Sequence, residues 1–147
     1  MLHKVYDIEL PYEELGLKTP EKKATITTYI KEMYPDYQDP FNRPLVIICP
    51  GGGYDHHSPR EGEAVAVKML ELGYNAVVLR YSLAPYVYPT QVYEAAYTVK
   101  WVRDHAKEWD VIRTELYLQV FQLEDTLQHV LVLCGAVIWL HHLQRNI

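Results

Sequence analysis

The segment Pro44-Leu45-Val46-Ile47-Ile48-Cys49-Pro50-Gly51-Gly52-Gly53-Tyr54 constrains this chain more than any other. A short apolar run ends abruptly in three contiguous glycines. The run does not alternate between apolar and polar residues, which suits a strand covered on both faces. Glycines at its end let the backbone turn sharply and present its N–H groups to an incoming ligand. Two chemistries use that arrangement: the cradling of a phosphate, and the stabilisation of the negative oxygen that forms when an ester is attacked. A tight turn without chemistry is the third reading.

Phosphate cradling fits poorly. A P-loop continues with Gly-Lys-Ser/Thr, whereas Tyr54-Asp55-His56-His57 follows here. A dinucleotide fingerprint spaces its glycines along the turn into a helix, whereas these are contiguous. The oxyanion reading fits better.

The chain has 147 residues, enough for one domain with its own core. A formal net charge of −5 and the lack of a basic cluster argue against nucleic acid as a main partner. Cys49 and Cys134 match no metal-ligand or redox spacing, and Cys49 reads as a small core residue. Met1-Leu2-His3-Lys4 leads straight into alternating residues without a signal-peptide core, so a cytoplasmic location is expected. The 13 tyrosines against 2 phenylalanines suit a cleft facing a sugar or another polar ligand.

Lys4 to Leu10 and Lys23 to Ile30 alternate and predict an antiparallel opening pair, each strand with one solvated side. Tyr6, Ile8 and Leu10 share one face of the first; Ala24, Ile26, Thr28 and Ile30 share one face of the second. Met33 to Arg43 reads as a loop. Leu45 to Cys49 and Ala76 to Leu79 read as buried strands. Glu61 to Leu72 has helical spacing, with Val65, Met69 and Leu72 on a stripe and Gly73 as its stop. Ser82 to Pro89 is a proline-punctuated loop. Val92, Ala95, Ala96, Val99 and Val102 mark the buried face of a second helix ending near Trp109. The order predicts an α/β, three-layer fold, an antiparallel N-terminal strand pair followed by parallel strands with flanking helices.

These residues carry a resemblance. Cys49-Pro50-Gly51-Gly52-Gly53-Tyr54, then Ser58 to Ala66, Gly73-Tyr74-Asn75, Val78-Leu79-Arg80-Tyr81-Ser82-Leu83-Ala84-Pro85 and Val102 to Asp110, in that order, resemble the bacterial acetyl-esterase and acetylxylan-esterase-like group of the α/β-hydrolase superfamily. The resemblance runs from about Val5 to Val111. It implies an α/β-hydrolase fold, present here in part, and hydrolysis of small acyl esters, often acetyl groups on sugars, with no cofactor and no metal. It makes Gly51, Gly52 and Gly53 the oxyanion-hole loop, with Gly52 and Gly53 supplying backbone N–H, and Tyr54 a substrate-binding residue.

That group continues with a strand, a Gly-x-Ser-x-Gly elbow, then an acid and a histidine. The text after Val111 matches none of these. Ser58 and Ser82 are the only serines, and neither lies in an elbow. A shifted reading frame accounts for this; the alternative is a genuine, divergent C-terminus. When each alternative codon starts at the third base of a present one, the genetic code permits N/D-P-D-R-I/V-V-F/L-A-G-F-S-A-G-G-H after Val111. The serine spans the codons of Phe121 and Gln122. Residues 1–111 are therefore expected to be the N-terminal part of a hydrolase domain and 112–147 an out-of-frame tail. The chain then has an oxyanion loop without nucleophile, acid or base, and is expected to be inactive. The alternative is a non-catalytic binding or interaction protein on a truncated hydrolase scaffold.

His56-His57 and His141-His142 lack metal-ligand spacing and read as solvated. His105, near the end of the second helix, reads as structural, and Asp104 and Asp110 precede the position of a triad acid. Arg60 and Glu61 either order the glycine loop or form a solvated helix start. Val130 to Leu140 is apolar but short for a bilayer, so no membrane partner is expected. The oligomeric state is not encoded legibly.

Overall fold

A computed structural model describes residues 1–32, 43–121 and 137–138. The strands are β1 (Val5–Asp7), β2 (Thr25–Tyr29), β3 (Arg43–Cys49), β4 (Asn75–Arg80), β5 (Val111–Val120) and β6 (Val137–Ile138). The helices are α1 (Glu63–Glu71), preceded by a 3-10 turn over Pro59–Glu61, and α2 (Thr90–His105). One sheet holds the strands in the order β1-β2-β4-β3-β5-β6. β1, β2 and β4 pair antiparallel; β4, β3, β5 and β6 pair parallel.

Strand parity sorts the sheet into two buried faces. Leu45, Ile47, Cys49, Val77, Leu79, Leu116 and Leu118 pack with Val92, Ala95, Val99 and Val102 of α2. Val46, Ile48, Ala76 and Val78 pack with Ala66 and Met69 of α1 on the other side. The predicted three-layer α/β arrangement is therefore present, and continuous apolar runs mark its middle layer, as strands covered twice require. Pro44 lies inside β3, and the register with β5 shifts between Arg43 and Leu45. A residue without an N–H forces such an irregularity. α1 stops at Gly73 (φ +91). Tyr74 N–H donates to Met69 O (3.0 Å) and Gly73 N–H to Leu70 O (3.1 Å), a Schellman closure.

Several expectations need correction. β2 has no solvated side: Thr27 and Tyr29 are buried along with Ile26. Its pairing with β4 places it far enough into the sheet for α1 to reach its second face. Leu72 is exposed, because the helix ends one residue earlier and Ala66 takes the buried position with Met69. Ala96 is only partly buried on α2. A strand, β5, does follow Val111; Leu116 and Leu118 alternate into the α2 face and Tyr117 into the other. The loop predicted over Met33 to Arg43 lies outside the described residues except for Arg43, as do Cys134 and His141-His142. Of Val130 to Leu140 only the β6 pair is described. No described helix is long and apolar enough to cross a membrane.

The docking of β5 has a direct check. Leu118 is fully buried between β3 and β6. Leu118→Ala is expected to cost about 2–5 kcal/mol in urea unfolding. A cost near zero would show that this segment does not belong to the folded sheet.

Candidate functional site

The glycine loop emerges where β3 leaves the sheet. Gly52 (φ +140), Gly53 (φ +65) and Tyr54 (φ +59) follow one another in positive-φ conformations. Gly52 has no room for a side chain, since an added Cβ would lie 2.0 Å from the His56 carbonyl oxygen. The loop folds back on itself: Ser58 N–H donates to Gly51 O (2.8 Å), and Asp55 and His56 N–H donate to Gly52 O (3.2 and 3.3 Å).

Two anchors fix it from outside. The Glu61 carboxylate accepts the Gly51 N–H at 2.8 Å, and the Tyr81 hydroxyl donates to Pro50 O at 2.6 Å. Glu61 therefore orders the loop, while Arg60 is exposed. The Gly51 amide is committed to Glu61, which leaves Gly51 an anchoring part within the loop. Tyr54 packs partly buried against the core with its ring edge-on to Tyr81 (5.7 Å). Its carbonyl accepts the Ala84 N–H (2.8 Å), which ties the loop to the segment after β4.

The end of β5 closes on this loop. Phe121 N–H donates to Cys49 O (3.1 Å), and the Phe121 carbonyl oxygen would lie 3.3 Å from a Cβ at Gly51. The backbone of Phe121 thus lies beside Gly51. Parallel pairing of β3 and β5 brings both C-terminal ends to one edge of the sheet, and α/β folds place their sites at that edge.

His57 is only partly solvated. Its ring meets Tyr81 edge-on at 4.8 Å. Burial lowers its pKa to about 4, helped by the charge of Arg80 and opposed by a hydrogen bond with the Tyr81 backbone. It is neutral at physiological pH. His56 is exposed, as expected. His105 is structural: Nδ1 lies 2.8 Å from Trp101 O, and the ring stacks on Trp109. Cys49 is a buried core thiol whose pKa burial pushes up to about 12.

The sequence reading missed Glu94. It is fully buried (0 % exposed) on α2. It accepts from the Tyr12 hydroxyl (2.8 Å), Ser82 N–H (2.8 Å) and Ser82 Oγ (2.5 Å). Gln91, one turn earlier, donates to Ser82 O (3.0 Å) and Tyr86 O (2.9 Å). The signal was a polar stripe at helical spacing, Gln91-Glu94-Thr98, directly after a proline-rich loop. Ser82 is thereby a loop-ordering residue.

Comparisons with solved structures find the same fold. The chain is similar to MGS-M1, an α/β-hydrolase enzyme from a Medee basin deep-sea metagenome, at 27% identity and TM-score 0.65, over 79% of this chain and 45% of that one. It is similar to the carboxylesterase Cest-2923 from Lactobacillus plantarum WCFS1 at 28% identity and TM-score 0.68, over 82% and 42%. An acetyl ester-xyloside bifunctional hydrolase from Caldicellulosiruptor lactoaceticus, at 23% identity and TM-score 0.69 over 80% and 42%, shares the fold. No family model and no curated protein matches the sequence. The chain has the α/β-hydrolase fold in part, and spans less than half the length of each of these structures.

Two outcomes follow from the geometry. Gly53 has open space around its Cβ position, so Gly53→Ala is expected to cost about 1–2 kcal/mol of backbone strain. Gly52→Ala adds a clash with a carbonyl to the strain and is expected to cost roughly 3 kcal/mol or more, both read by urea unfolding. Equal costs would show that the loop has another conformation.

Glu94 gives a pH signature. Burial raises its pKa more than its hydrogen bonds lower it, so the folded state holds the proton more tightly than the unfolded one. Its contribution to stability is full below the unfolded carboxylate value and is lost as pH rises through the folded value. The stability of the wild type minus that of Glu94→Gln is expected to fall between pH 4 and pH 7.5; a constant or rising difference would contradict the raised pKa.

Proposed function

We propose that this chain derives from a carboxylic-ester hydrolase of the acetyl-esterase type, whose intact relatives cleave small acyl esters such as acetylated sugars. Gly51 to Gly53 are its oxyanion-hole loop. Gly52 and Gly53 direct amide dipoles at the developing negative oxygen, and Tyr54 lies against the substrate. In the intact protein a serine at the end of β5 attacks the ester carbonyl with histidine as general base. Residues 112–147 are an out-of-frame tail, and the chain as written has lost nucleophile, acid and base.

The observation that supports this reading is the closeness of the Phe121 backbone to the loop: Phe121 N–H donates to Cys49 O, and a Cβ added at Gly51 would lie 3.3 Å from the Phe121 carbonyl oxygen. A nucleophile must stand within about 3 Å of the space its oxyanion donors face. A serine carried at the end of β5 would stand beside the glycine loop, which supports the reading.

The purified chain is expected to hydrolyse p-nitrophenyl acetate no faster than a Gly52→Pro control; turnover above that control would overturn the loss of activity. Sequencing of the coding DNA tests the ancestry separately. Bases at Phe121 and Gln122 that cannot encode serine in the shifted frame would overturn it.

A further inference from the structure

The antiparallel pairing of β2 with β4 has a second consequence, on the opposite flank of β4 from the glycine loop. It sets the start of β2 against the end of β4, with Thr25 opposite Arg80. The charged run Lys18-Thr19-Pro20-Glu21-Lys22-Lys23 leads into β2 and is thereby brought over the segment that leaves β4. Between them lies a cleft of about 390 Å³, lined by this run, by Arg80 and by the loop from Tyr81 to Tyr86, with His57 in its wall.

The cleft concentrates positive charge on a chain whose net charge is −5. Lys23 is neutralised by Glu9 at 2.7 Å. Lys18, Lys22 and Arg80 form no salt bridge among the described residues, and Glu21 is the single carboxylate in the lining. Lys22 and Arg80 both depress the ionisation of His57, so their fields converge on that wall. A concave surface with like charges and low-dielectric walls focuses potential and attracts counter-ions. His57 is neutral there, and its buried Nε2 has no hydrogen-bond partner among the described residues. Leu83, Ala84 and Pro85 supply an apolar wall, and the Tyr86 hydroxyl accepts the Glu21 N–H at 2.9 Å, closing the rim.

We propose that this cleft binds a small organic anion, a carboxylate or phosphate ester with a compact body, held by Lys18, Lys22 and Arg80 against the apolar Leu83-Pro85 wall. The volume accommodates a ligand of monosaccharide size. The site lies at the ends of β2 and β4 and shares His57, Tyr81 and Ala84 with the surroundings of the glycine loop, but the cations Lys18, Lys22 and Arg80 that hold its ligand have no part in the esterase reading. The test is calorimetric titration of the full chain with glucuronate, with glucose 6-phosphate and with glucose. One or both anions are expected to bind and glucose not to bind; the anion that binds more tightly identifies carboxylate or phosphoryl as the natural group. The exposed double variant Lys22→Gln/Arg80→Gln keeps the fold and is expected to lose affinity about tenfold or more. Glucose binding as tightly as the anions, unchanged affinity in the double variant, or no anion binding below about 10 mM would overturn the proposal.

Discussion

The buried carboxylate of Glu94 is the point through which separate parts of the chain reach one another. It accepts from Tyr12 in the N-terminal segment and twice from Ser82 after β4, while its own backbone belongs to α2. A charge at such depth is tolerated only when its lone pairs are occupied, and three donors do that here. The order then propagates. Gln91 holds Ser82 and Tyr86; Ala84, between them, holds the carbonyl of Tyr54; and Tyr54 closes the glycine loop. The loop thus inherits its position from a group on the far side of the segment that follows β4.

The glycine loop combines two requirements that ordinary residues cannot meet together. Its backbone occupies positive φ at consecutive positions, and at Gly52 a carbonyl stands where a side chain would be. Glu61 and Tyr81 fix its start by holding both sides of the Pro50–Gly51 peptide, the Gly51 amide and the Pro50 carbonyl. Glycine takes such angles without strain, and Tyr54 is the one side-chain-bearing residue of the run held at positive φ. The loop's contact with the end of β5 places it at the sheet edge where α/β folds carry their sites.

Much of the middle layer was legible because burial on both faces leaves an unmistakable apolar run, as in Leu45 to Cys49 and Ala76 to Leu79. The layer order followed from alternation of strands and helices. What escaped was set by tertiary context. The solvated side expected of β2 was covered because a sheet neighbour, not its own pattern, decides how deep a strand lies. His57 carries no local mark of burial; the ring of Tyr81 supplies it. Glu94 looks like any polar helical residue until Tyr12 and Ser82 converge on it. β5 carries its mark only in the short Leu116-Tyr117-Leu118 alternation, which the polar neighbours Glu115 and Gln119 interrupt. The glycines of the candidate site were visible at once, since no side chain substitutes for them, whereas their anchors were visible only in space.

That alternation in β5 has a wider meaning. Neighbouring strands sense the phase of a sequence, every second residue apolar, and are nearly blind to its identity. Catalysis is the reverse, since one oxygen atom in one place admits no synonym. On the proposed origin of this tail, a slipped codon erased the chemistry at a stroke yet left a passable strand. Cellular surveillance that senses exposed grease would then overlook the product, and only selection on turnover would register the loss.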